Sequence, residues 1–122
     1  MVTSVTSLGR NGLYDWLIQR VSAIIVLLYV LCHASIILFT PDITYAWWRE
    51  LFAGTAMRIF SLLTLAALCA HAWIGMWTVA TDYLTTRMLG RKATAIRLLF
   101  LVLCCGVLAV YFIWGVTILW SV

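Results

Sequence analysis

Apolar positions along this chain gather into three long runs: Val21 to Phe39, Ile59 to Ala80 and Leu98 to Trp120. Each is close to the ~20 residues that a membrane-crossing helix needs. The pattern predicts an all-α integral membrane protein with three transmembrane helices, forming one membrane-anchor domain over residues 1–122. Ahead of the first run, Leu13, Trp16 and Leu17 recur at helical spacing behind a candidate cap at Asn11, with Asp15 and Gln19 facing away. That segment predicts a short N-terminal interfacial helix that turns into span one. Pro41 should close the first span, and Asp42 or Thr44 could cap a short helix in the following loop. Trp47 and Trp48 in that loop read as an interfacial aromatic anchor. No internal repeat, linker or second domain is visible.

Composition strengthens this reading. Of the 122 residues, 66% are hydrophobic and 10% charged, more apolar surface than a soluble domain of this size can hide. The first run is longer than a signal-peptide core and lacks a cleavage motif after it, so it reads as a retained span. Cys32, Cys69, Cys104 and Cys105 all lie within runs and read as small buried hydrophobes. The net charge of +4 does not imply nucleic acid, because of where the cations sit. Arg10, Arg20, Arg87, Arg91, Lys92 and Arg97 lie in the N-terminal segment and second loop, against Arg49 and Arg58 in the first loop. The positive-inside bias puts the N-terminus in the cytoplasm and the C-terminus in the periplasm, with lipid contact for the basic loop.

The polar residues inside the runs carry the candidate chemistry. On the second helix, Gly75, Thr78 and Asp82 fall within about 40° of His71, and Ala67 and Thr64 extend the stripe backwards. His71 lies eleven residues from Asp82, about 16 Å along the axis and near mid-bilayer. A neutral imidazole at that depth is a candidate haem ligand, with Gly75 clearing room for a porphyrin. The same stripe would equally serve helix packing, and spacing alone leaves both readings open. Arg20 is either an interfacial anchor or a partner for a buried anion. In span one Ser22, Tyr29 and His33 share a face. His33 lacks a cleared face, which favours a structural hydrogen bond over a two-histidine clamp within one chain. Gly106 and Gly115 mark expected close approaches of span three to other helices. The chain carries no phosphate loop, nucleophile–base pair or metal cluster, so its chemistry should be shared with a partner helix covering the polar stripe.

The length, the three spans, Gly9-Arg10-Asn11-Gly12, Arg20 and above all His71-Ala-Trp-Ile-Gly-Met-Trp followed by Asp82-Tyr83 resemble the smaller hydrophobic membrane-anchor subunit of bacterial succinate dehydrogenase, respiratory complex II. The resemblance runs over essentially the whole chain. It implies a b-type haem shared with a second anchor subunit, His71 supplying one axial ligand to the iron and Arg20 approaching a haem propionate. It implies a ubiquinone site beside the iron–sulfur subunit, with Tyr83 donating to a quinone carbonyl oxygen and Asp82 organising the site or its proton supply. Succinate oxidation would occur on the flavoprotein subunit, and the complex would sit in the bacterial inner membrane. Tyr14 would border the haem edge or have no specific role. Two rivals stay open: the anchor of a fumarate reductase, and a haem-free structural or assembly membrane protein.

Overall fold

The computed structural model describes residues 12–122. Its elements are α1 (Gly12–Phe39), α2 (Tyr45–Ala53), α3 (Thr55–Tyr83), α4 (Thr86–Leu89), a 3-10 turn (Gly90–Lys92) and α5 (Ala93–Trp120). Among the described residues there is no strand. α1, α3 and the stretch Thr86–Trp120 that contains α5 are each long and apolar enough to cross a membrane. The expected all-α, three-span class is therefore the one observed.

Each long helix overruns the apolar run that predicted it. Nothing at the edges of the runs stops a helix, so hydrogen bonding continues into the flanking polar residues. α1 has 28 residues, about 42 Å at ~1.5 Å per residue, against a hydrocarbon layer of roughly 30 Å. This overrun corrects one expectation. Residues Gly12 to Arg20 form no separate interfacial helix; they are the first turns of α1, continuous with the span. No proline or glycine interrupts them after Gly12, and their polar face is engaged by α3. The proposed cap, Asn11, lies outside the described residues.

α3 is the centre of the bundle, packed against α1 on one side and α5 on the other. Both neighbours run antiparallel to it. The α1 pairing joins Tyr29 to Ser61 through a 2.8 Å hydroxyl–hydroxyl bond and Ser22 to His71 further along. The α5 pairing joins Arg97 to Leu84 at one end and Arg58 to Val122 at the other. Residues buried on α3 are small or polar: Ser61, Thr64, Ala67 and Ala80, with Ile74. Small side chains let neighbouring helices approach closely, which is how helices associate where lipid supplies no hydrophobic contrast. Most large apolar side chains consequently point outward, including Leu27, Leu31, Val102 and Val110.

The connections follow local chemistry. Thr44 caps α2, its hydroxyl accepting from the Trp47 N–H at 3.2 Å. Gly54, in an extended conformation, is the single residue between α2 and α3. α2 packs its aromatic side chains over α1, with Phe52 and Trp48 5.7 and 6.0 Å from the His33 ring. Gly90 ends α4 at φ +65°, a region that side chains with a Cβ seldom occupy.

Of the two glycines expected to mark close approaches in α5, one does so. A Cβ added at Gly115 would lie 2.5 Å from Leu65 Cδ2. Gly106 faces open space on the outer side of α5. Gly115→Val should therefore overpack the α3–α5 contact and cost about 1–3 kcal/mol, read as a lower thermal midpoint of the purified protein. Leu65→Ala in the same chain should recover part of that loss; a double variant no better than the single one would remove Leu65 as the clash partner.

Candidate functional site

His71 sits on α3 against the first turns of α1, held by a set of short polar contacts. Its Nδ1 lies 3.1 Å from Ser22 Oγ and 3.3 Å from the Gln19 carbonyl oxygen. Ser22 Oγ itself donates to that same carbonyl at 3.1 Å. A carbonyl only accepts, so the Gln19 contact is made in the tautomer with the proton on Nδ1, in which the Ser22 hydroxyl oxygen also accepts from it. This leaves Nε2 as the acceptor nitrogen of the ring. The Gln19 side-chain amide nitrogen stands 3.4 Å from Nε2, a long and weak hydrogen bond. The amide oxygen of Gln19 is buried without a partner among the described residues.

Two open hollows meet at His71 and Ala23. One, about 320 Å³, is lined by Asp15, Trp16, Gln19, Arg20, Ala23, His71, Ile74 and Thr78. The other, about 310 Å³, is apolar and runs on past Val26, Leu27, Val30 and Leu68. Arg20 thus shares a hollow with His71, its guanidinium carbon 5.7 Å from the centroid of the Trp16 ring. A Cβ added at Gly75 would meet nothing within 4 Å. Chemically, the arrangement offers one imidazole nitrogen and one guanidinium to a flat, partly anionic molecule laid in the groove.

The polar stripe of α3 divides at His71. Thr64 and Ala67 are buried, and the Thr64 hydroxyl is returned to the Phe60 carbonyl at 2.8 Å. That half of the stripe serves packing. From His71 onward it opens: Thr78, its hydroxyl on the Ile74 carbonyl at 3.0 Å, lines the first hollow. Asp82 and Tyr83 end the helix, both exposed, Tyr83 to 62%. Neither forms a hydrogen bond or ion pair with another described residue. Just beyond them the Arg97 guanidinium donates through Nε and Nη2 to the Leu84 carbonyl, at 3.3 and 3.0 Å. A cation there also suits the negative end of the helix dipole.

His33 is placed differently. Its Nδ1 donates to the Tyr29 carbonyl at 2.9 Å and its ring lies among Tyr29, Phe52 and Trp48. It lines neither hollow beside His71. The structural hydrogen bond expected for it is present. Tyr14 is exposed and lines neither hollow. Gln19, read from the sequence as facing away, is the correction at this site: it turns to α3 and touches His71. Its neighbour Ser22, assigned to a stripe with Tyr29 and His33, faces the same way. Running that stripe one helical turn backwards would have reached Gln19, and two turns Asp15.

Comparison with known proteins identifies the family. Residues 4–119 match the model of the family described as the succinate dehydrogenase/fumarate reductase transmembrane subunit. A succinate dehydrogenase hydrophobic membrane anchor subunit of Coxiella burnetii (strain RSA 493 / Nine Mile phase I) is 37% identical over 112 residues. The aligned region covers 92% of this chain and 91% of that relative. With three membrane-crossing helices and a match over nearly its whole length, the chain belongs to the succinate dehydrogenase/fumarate reductase transmembrane-subunit family.

Proposed function

We propose that this chain is the smaller anchor of a succinate:ubiquinone oxidoreductase in a bacterial inner membrane. In this reading it holds one axial position of a b-type haem shared with a second anchor subunit, and supplies part of the ubiquinone-reduction site. It also attaches the iron–sulfur and flavoprotein subunits to the membrane and carries no succinate-oxidising site. The observation that carries the reading is the shared hollow of His71 and Arg20, with Asp82 and Tyr83 further along the same helix. The relative's description as a succinate dehydrogenase subunit favours that direction of the reaction over fumarate reduction.

The residues present fit the cofactor. Among the described residues His71 Nε2 is engaged by one long contact to a flexible amide, which can release it to iron. Arg20 is exposed at the same hollow, where its planar fork matches a propionate. Gly75 leaves free space beside the groove. Bound there, haem supplies a one-electron redox centre.

The charge bias of the loops puts the end of α3 at the cytoplasmic surface. Tyr83, exposed and without a partner among the described residues, is placed to donate its phenolic hydrogen to a quinone carbonyl oxygen. A phenolic hydroxyl is both a hydrogen-bond donor and an acceptor. Its hydrogen bond strengthens as negative charge grows on the oxygen, which is where a donor lowers a barrier. Asp82 beside it faces water and can relay protons to the reduced product.

Tyr83→Phe should lower quinone reduction about 10- to 100-fold, the worth of one hydrogen bond to a developing charge. Haem content and succinate oxidation with an artificial acceptor should be retained; equal loss of both activities would point to failed assembly and remove the donor role. His71→Ala should change the b-type spectrum of the detergent-extracted complex, whereas His33→Ala should leave it intact. A His71→Ala complex with unaltered Soret and α bands would end the ligand assignment.

A further inference from the structure

We propose that Ser22 and the backbone carbonyl of Gln19 are positioning groups that fix the tautomer of His71 and strengthen it as a donor to iron, with the Gln19 amide holding its Nε2 until iron takes that place. The inference rests on the haem reading above and deepens it on the side of the ring facing away from the iron.

The argument begins with the environment. Ser22 is 4% exposed and lies in α1 opposite His71, in a part of the bundle walled by apolar side chains. Leaving either nitrogen of an imidazole unbonded in such a place is costly. The ring has two nitrogens, and the chain provides for each separately. On the Nδ1 side, one N–H points at two oxygens, Ser22 Oγ at 3.1 Å and Gln19 O at 3.3 Å. Ser22 cannot offer its own hydrogen to Nδ1 without abandoning the Gln19 carbonyl, to which it donates at 3.1 Å. In the proposed arrangement the three groups form a closed set in which Nδ1 carries the proton. On the Nε2 side stands a side-chain amide that can donate and can swing aside.

Two consequences follow for a ligand histidine. The nitrogen free to bind metal is Nε2, on the edge of the ring away from α1's backbone, and no proton must leave it first. In addition, donation from Nδ1–H to oxygen acceptors pushes electron density onto Nε2, so the ring becomes a stronger donor to the metal. A stronger donor favours the ferric over the ferrous state and lowers the potential of the haem. Ser22 contributes the shorter of the two acceptors, so its loss should weaken that push while the Gln19 carbonyl still preserves the tautomer.

The test uses the complete detergent-extracted complex with wild-type chain, Ser22→Ala and Ser22→Thr. Redox titration of the haem absorption and low-spin ferric electron paramagnetic resonance are the readouts, neither of which depends on turnover. Ser22→Ala is expected to keep its haem and subunits, shift the midpoint potential upward and move the largest g value. Ser22→Thr, which restores a hydroxyl, is expected to return both toward wild type. Should Ser22→Ala fail to assemble, the nearly isosteric Ser22→Cys, a weaker acceptor, should show the same upward shift at smaller size. Haem retained with potential and g values indistinguishable from wild type in these variants would overturn the positioning role and leave the ligand assignment standing. A wild-type complex that contains all its subunits but no haem would overturn both.

Discussion

An imidazole in an apolar span gains from a partner at each ring nitrogen, and at His71 the pairing of α1 with α3 supplies both. Ser22 and Gln19 answer His71 near one end of the pair, and Tyr29 answers Ser61 near the other. Hydrogen bonds between buried polar groups set the register of two helices more sharply than apolar contact does, since slipping by one residue would strand every partner. The overrun of α1 beyond its apolar run belongs to the same constraint. Asp15 and Gln19 reach the groove only because the first turns stay collinear with the span.

The other side of α3 is held by different means. There the contact is close packing, with Leu65 against Gly115, and the polar links lie at the two ends, Arg58 with Val122 and Arg97 with Leu84. Arg58 is further covered by the Trp120 ring at 5.5 Å. One helix thus carries a wet, specific seam and a dry, steric one. The wet seam is flanked by open hollows; the dry seam is held by close packing.

Much of this was legible in the sequence. Run length alone located the three spans, because a stretch of some twenty apolar residues has few alternatives. A single imidazole in such a run drew attention to His71, and the Thr44 cap followed from residue type. What escaped was which way the polar residues turn. Gln19 was assigned to solvent because an amphipathic segment at a surface normally exposes its polar face; inside a bundle that face turns to the neighbouring helix. Gly106 and Gly115 look alike in the sequence, and only the position of Leu65 separates a packing glycine from one with empty space above it. The small-residue stripe of α3 left packing and ligand binding undecided for a physical reason: one half is buried against neighbouring helices and the other borders an open hollow. The roles carried over by resemblance, those of Arg20, Asp82 and Tyr83, depend on molecules and subunits that lie beyond a single chain.

The Arg97 bridge to Leu84 has a bearing on more than loop geometry. Helix ends fray, because their last carbonyls lack intrahelical donors. In α3 the residues exposed to fraying include Asp82 and Tyr83. A guanidinium from the next helix clasps the carbonyl immediately after them with two N–H groups, so the final turn is pinned from outside. The aim of the Tyr83 hydroxyl is thus governed partly by a side chain fourteen residues downstream.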